Sequence, residues 1–273
     1  MTTQTGVLPG TTGTPAHAPA RRSFLSDVAA VWWRETLTIV RDPFSLIFSL
    51  VQPLVFLGLF GPLLSGIAGG EIGAGSTLQF FLPGVVVMIT MFGTSMTGAN
   101  LQFEIMTGAF ERILATPLSR AALMVGRALK ELTPLVVQAA IIVLVAWPFG
   151  FELFPLHILA GLLILGIFGV GVGALSYALA IAARKAEWIF WAVQQSLLFP
   201  LLILSGMMLP LETGPGWMQA VSKANPLTYI VDAERQLFAG SVGLETLWGL
   251  LAALATAAVG LWVGVRSVTR TVL

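Results

Sequence analysis

The feature that most constrains this chain is a set of apolar runs long enough to cross a bilayer. A transmembrane helix needs about 20 mostly apolar residues, because the hydrocarbon layer is about 30 Å thick and a helix rises about 1.5 Å per residue. Runs near 44–65, 81–100, 132–150, 156–182, 188–209 and 246–265 reach that length and predict six spans. In lipid, backbone polar groups must be satisfied within their own segment, so the expected fold is an all-α membrane protein. Composition agrees: 56% of the 273 residues are hydrophobic and 10% charged, with mean hydropathy +0.90, against about 25% charged in a soluble domain. The stretch "WPFGFELFPLH" at 147–157, with two prolines and a glycine, predicts a tight break between the third and fourth runs.

Positive charge orients the spans, because cytoplasmic flanks hold the excess of Lys and Arg. Twelve of the fourteen basic residues fall on one side, and only Lys223 and Arg235 fall on the other. Both termini are therefore expected in the cytoplasm, with the chain in the plasma (inner) membrane. Residues 1–23, rich in Thr, Gly, Pro and Ala, predict a disordered tail in which His17 has no role. "RRSFL" at Arg21 resembles the start of a twin-arginine signal, but Asp27, Arg34, Glu35, Arg41 and Asp42 follow where an apolar core would be needed.

Residues 24–43 predict an amphipathic interfacial helix. Leu25, Val28, Ala29, Trp32, Ile39 and Val40 share one face and Asp27, Arg34, Thr38 and Arg41 the opposite one, until Pro43 ends it. Such a helix lies in the headgroup plane. It serves either as a simple anchor or, through Asp27, Arg34 and Arg41, as a docking surface.

Several function classes lack their chemistry here. The absence of cysteine removes disulfides, zinc–cysteine sites and thiol catalysis, and two histidines leave no catalytic metal cluster. His157 has no partner motif for nucleophilic catalysis. A net charge of +1 without a basic stripe argues against nucleic acid. Ion-coupled carriers keep charges inside the membrane, whereas the middles of these runs hold only amides: Gln52, Gln138, Gln194 and Gln195. Those amides suit hydrogen bonds between helices or contact with a substrate. No phosphate-binding G-x-x-x-x-G-K-[ST] motif occurs, so ATP, if used, is handled by another chain. Gly169 with Gly173, and Gly260 with Gly264, make small faces for close helix packing.

Two segments carry a more specific signal. "FEIMTGAFERILATPLSRAALMVGRALK" has an acidic residue, a glycine, a short helix around Ala109 to Ala115 and a Thr-Pro-x-Ser-Arg turn. "SGMMLPLETGPGWMQAVSKANPLTYIVDAERQLFAG" has Pro210 and Trp217 before Asn-Pro-Leu-Thr-Tyr and Arg235. Physically, the first is a rigid charged handle, because Pro117 biases Thr116 away from helix and Ser119 suits the cap of the next helix. Together the segments resemble the ABC-2 family of ABC-transporter permeases, and within it the daunorubicin-type multidrug exporters.

The resemblance implies a six-span permease domain over 44–273. It implies a cytoplasmic coupling helix at about 104–120 that docks on a separate ATPase through Glu104, Gly108, Phe110, Glu111, Arg112, Thr116, Pro117 and Arg120. It also implies short external re-entrant helices at about 206–245, between spans five and six, built on Pro210, Trp217, Asn225, Pro226, Tyr229 and Arg235. The chain itself would be non-catalytic and hold no cofactor, with ATP and Mg in the ATPase partner. A second permease copy would complete a two-plus-two complex, with spans one, two and five at the seam. Gln52, Met88, Met91, Met96, Phe199, Met207 and Met208 would line the pathway, a soft apolar wall suited to a drug or other amphiphile. Alternative readings are a lipid-linked glycan or envelope-lipid exporter using the aromatics of "EWIFW", an ATP-independent channel or carrier, and a membrane anchor that transports nothing. Asp232, Glu234 and Arg235 are expected to pair locally.

Overall fold

The computed structural model describes residues 23–67, 77–114, 119–207, 211 and 214–270. His17, Thr116, Pro117, Met208 and Pro210 lie outside the described residues. Among the described residues every regular element is a helix. In chain order they are α1 (Phe24–Arg41), α2 (Pro43–Ile67), α3 (Thr77–Met106), α4 (Ala109–Leu114), α5 (Arg120–Lys130), α6 (Leu132–Ala146), α7 (Pro155–Ala182), α8 (Glu187–Ile203), α9 (Gly216–Ser222), α10 (Pro226–Phe238) and α11 (Leu244–Arg270).

Four stretches are long and apolar enough to cross a membrane: Leu78–Met106, Arg120–Phe149, Pro155–Ala182 and Leu244–Arg270. Two shorter apolar stretches, Ile47–Leu59 within α2 and Glu187–Ile203, correspond to the other two of the six expected runs. The difference at α8 is one of length. The run was expected to reach 209, but helix stops at Ile203, after an internal Pro200, and the chain turns at Leu204–Gly206. Seventeen residues rise about 26 Å, just short of the hydrocarbon thickness.

The helix boundaries have local causes. Gly108 has φ 68°, a left-handed conformation that a Cβ disfavours, and this separates α3 from α4. Ser119 caps α5, its hydroxyl accepting from the Ala122 N–H at 3.1 Å. A single 3-10 turn at Trp147–Phe149, with Gly150 behind it, produces the predicted break before α7.

The most extensive contact joins α7 to α11, with α3 packed on the other side of α7. Glycines allow both approaches. Gly171 and Gly260 bring the α7 and α11 backbones together, and Gly169 and Gly173 face Thr90, Thr94 and Thr97 of α3. One apolar cluster fills the centre of α3, α6, α7 and α10; a second, at the end carrying α4 and α5, contains Leu101, Phe110, Met124, Tyr177, Phe190 and Val268.

In α1 the buried face differs from the expected one. Asp27, Val28, Val31 and Thr36 are buried, whereas Leu25 and Val40 are exposed. α1 packs against α5, where Gly126 is pressed against Val31. The expected apolar face is therefore largely left outside, and Asp27, assigned to an open docking face, is covered. Arg34 and Arg41 remain exposed.

Candidate functional site

α4 is a six-residue helix with two sides. Phe110 is buried and meets the Tyr177 ring edge-on at 6.4 Å, while Glu111 and Arg112 are exposed. Tyr177 leads to an ionic network: its hydroxyl accepts from Arg127 Nη1 at 3.3 Å. The Arg127 guanidinium grips Glu104 of α3 in a two-pronged pair, at 2.7 Å to Oε2 and 2.8 Å to Oε1, and reaches Glu35 of α1 at 3.4 Å. Lys130 approaches Glu35 at 3.6 Å and Glu131 at 4.0 Å, and Glu131 also accepts from Thr97 at 2.7 Å. Arg34 donates to Glu35 at 2.7 Å. Burial by itself raises the Glu35 carboxyl, but the charges of Arg127 and Lys130 and the Arg34 hydrogen bond outweigh it and hold the group below its ordinary value. The network thus fastens α1, α3, α5 and α7 together directly behind α4.

Beside the network lies a cavity of about 540 Å³ lined by Glu35, Thr38, Asp42, Asn100, Glu104, Lys130 and Glu131 among others. It shares Ser49, Gly93, Met96 and Gln138 with a smaller cavity of about 210 Å³ that also holds Gln52, Met88 and Phe92. Three of the expected pathway residues, Gln52, Met88 and Met96, therefore meet at one place. Of the other described ones, none lines these cavities. Met91 lines a separate apolar groove between α3, α7 and α8; Phe199 is half exposed and touches Phe92 edge-on at 6.2 Å; Met207 is buried beside Gly84. Of the amides, Gln138 donates to Ser49 of α2 at 2.6 Å and Gln194 accepts from Ser176 of α7 at 3.3 Å, so both bond between helices.

At the opposite end α10 straps the end of α8. Asn225 caps α10 through the Leu227 N–H at 3.0 Å and donates to the Leu201 carbonyl at 2.8 Å. Thr228 donates to the Leu204 carbonyl at 3.2 Å, and Arg235 to those of Gly206 at 2.7 Å and Met207 at 3.2 Å. Arg235 also lies 3.9 Å over the Phe80 ring. Pro226 starts α10, Tyr229 donates to the Lys223 carbonyl at 2.7 Å, and Trp217 is exposed. Arg235 sits 3.8 Å from Asp232, but the local pairing expected of Glu234 does not occur: its side chain points the other way, into the bundle against Gly161 of α7. Replacing Asn225 by alanine removes both the cap and the tie to Leu201, and is expected to lower stability by about 1–2 kcal/mol. Thermal unfolding of the chain in lipid checks this.

The family profile of the ABC-2 type transporter matches residues 26–239. The chain belongs to the ABC-2 type transporter family. It is 31% identical over 254 residues to the daunorubicin resistance ABC transporter permease protein DrrB1 of Streptomyces coeruleorubidus, covering 89% of each chain. It is 28% identical over 181 residues to "Probable multidrug ABC transporter permease YbhR" of Escherichia coli (strain K12), covering 63% of this chain and 47% of that one. Nodulation protein J of Rhizobium meliloti (strain 1021) is 26% identical over 215 residues, with 78% of this chain and 81% of that one covered.

In this ABC-2 permease the sequence pointed to Glu104, Gly108, Phe110, Glu111, Arg112 and Arg120, and the structure places them at one end, on α3, α4, the turn between them and the start of α5. Sequence reasoning missed Glu35, Arg127, Lys130, Glu131 and Tyr177 as members of one network. A signal was present: Arg127 lies four residues after Leu123 and three after Met124, which places it on the apolar face of a helix. A cation there needs partners of opposite charge.

Proposed function

We propose that this permease is the membrane-spanning subunit of an ATP-driven exporter that carries an amphiphilic compound, such as a drug, out of the cell. The observation that carries the reading is α4: a short charged helix whose outer residues, Glu111 and Arg112, are exposed and whose inner residue, Phe110, leans on Tyr177 and through it on Arg127. An ATPase chain that grips Glu111 and Arg112 thereby moves a body already fastened to three long helices. ATP and Mg sit in that separate chain. In this reading α2 and α8 complete six spans, both termini and α4 face the cytoplasm, and α9 and α10 lie at the outer surface of the plasma membrane. A second copy of the permease faces the first, and the pair alternates between inward and outward access as the ATPase closes and opens. The cavity of about 540 Å³ offers mixed polar and apolar walls of the size that small ligands occupy, and at Met96 it meets the smaller one that holds Gln52 and Met88. The resistance function named for the Streptomyces coeruleorubidus relative supports a drug as cargo.

The test is to co-purify the permease with its ATPase in lipid and record ATP turnover against a panel of amphiphilic drugs and lipids. Stimulation by one class supports the reading, while failure of any ATPase to co-purify sinks it. Glu111→Ala and Arg112→Ala are each expected to lower stimulation about tenfold, the scale of one lost charge-assisted bond. Wild-type stimulation in both would remove α4 from the coupling role.

A further inference from the structure

Among the described residues, Glu234 is the most deeply placed carboxylate in the second half of the sequence. Its residue is fully buried, and neither carboxyl oxygen has a hydrogen-bond partner. It sits on α10, outside the candidate spans, and points into the contact between α10 and α7. Gly161 of α7 makes the space, since a Cβ there would overlap the carboxyl group. α10 packs against α3, α7 and α11, and among the described residues none brings a countercharge to this spot. On α10 itself, Arg235 turns towards Phe80, Gly206 and Asp232. On the other elements, Glu245 lies in the first turn of α11 and with Arg235 in the surface cavity there, while His157 of α7 meets the Phe154 ring edge-on at 6.2 Å. Glu152, before α7, is exposed and gives its backbone N–H to Gln79 of α3.

An ionised carboxylate in such a site is strongly disfavoured, and a group in this position neutralises instead. We propose that Glu234 is a proton-binding site: its carboxyl is neutral while α10 lies on α7, and it gives up its proton to water when that contact opens. Burial alone is the cause here and pushes the carboxyl up to about 8 from the ordinary 4.5. The sign follows from linkage. The closed contact holds the proton more tightly than the open one, so low pH favours closure and rising pH favours opening. Between the two values each unit of pH shifts the balance towards opening about tenfold; below and above that window the effect is flat. Neither ATP nor cargo enters this inference, so it stands apart from the exporter reading.

Two measurements on the full chain in lipid nanodiscs test it. The first treats the protein with dicyclohexylcarbodiimide, a lipid-soluble reagent for protonated carboxyls, across a pH series, and locates adducts by peptide mass spectrometry. An adduct on Glu234 that fades as pH rises through about 8 is expected; no adduct at any pH, or one that fades at the ordinary carboxylate value, overturns the proposal. Gly161→Ala, which places a methyl where the carboxyl now lies, should move the midpoint down; an unmoved midpoint counts against the site. The second follows hydrogen exchange of α10 against pH. Exchange beyond the intrinsic base-catalysed rise should increase about tenfold per unit between the ordinary carboxylate value and the midpoint. Glu234→Gln, which resembles the neutral acid and keeps the packing, should abolish that excess. If the Gln variant retains it, Glu234 is not the titrating group.

Discussion

Arg127→Ala is expected to destabilise the permease by about 3–5 kcal/mol, the usual consequence of removing one partner from a buried ion pair. Arg127 is 3% exposed and faces Glu104 and Glu35 at once. Without it two carboxylates confront each other with Lys130 and Arg34 as the remaining nearby cations. The lesion should first loosen α1 from α5, because Glu35 is the ionic tie between α1 and the rest of the network. Limited proteolysis within α1, compared with global unfolding by denaturant titration, would separate the two effects. Arg127→Lys should recover only part of the loss, since an ammonium cannot reproduce the two-pronged contact with Glu104. Acid should act in the same direction. The Glu35 carboxyl lies below its ordinary value in the folded chain, so its contribution is complete above the ordinary value and is lost as pH falls through the folded one. If α1 in the alanine variant stays as protected as in the wild type, the network is not what holds it.

Gly260→Leu should be as damaging, by a different route. A Cβ at 260 would lie 2.8 Å from the Gly171 carbonyl carbon and 2.9 Å from its Cα. Those atoms belong to the backbone and cannot swing aside as a side chain would, so the two helices must separate along the most extensive contact in the molecule. Overpacking of a yielding site costs about 1–3 kcal/mol, and this site does not yield, so a loss above about 3 kcal/mol is expected. Gly58→Ala is the control. Nothing lies within 4 Å of a Cβ at that position, and alanine should leave stability unchanged or raise it by about 0.5–1 kcal/mol through helix propensity. Equal folded yields for the leucine variant and the wild type would show that the α7–α11 contact tolerates a gap.

How much of this was readable in the sequence depended on whether the cause was local. Apolar length located the long helices. The spacing of Gly169, Gly173, Gly260 and Gly264 marked faces that do pack closely, and Ser119 caps its helix as its position before an apolar run required. The short helix before Thr116 begins at Ala109 as expected and is described as far as Leu114. The failures have tertiary causes. α1 shows one apolar face to a periodicity argument, but the face that is buried is turned towards α5, where Arg127, 92 positions beyond Glu35, draws that carboxylate inward. Glu234 has Asp232 and Arg235 as near neighbours, yet the helix turns it towards Gly161, a partner that no local pattern announces. Gln52, Met88 and Met96 line joined cavities while Met91 and Met207 face other parts of the bundle, because a span faces several environments at once and methionine suits each of them.

The strap from α10 to the end of α8 sets how α8 is able to move. Asn225, Thr228 and Arg235 hold the chain between Leu201 and Met207 by its backbone carbonyls, whereas the body of α8 makes few contacts with α3 and α7. The other end is tied as well: Phe190 is fully buried beside Gly98 of α3, and Gln194 accepts from Ser176 of α7 at 3.3 Å. Held near both ends and at its middle, α8 is no separate gate, and a change in the groove it walls must carry α3 and α7 along with it.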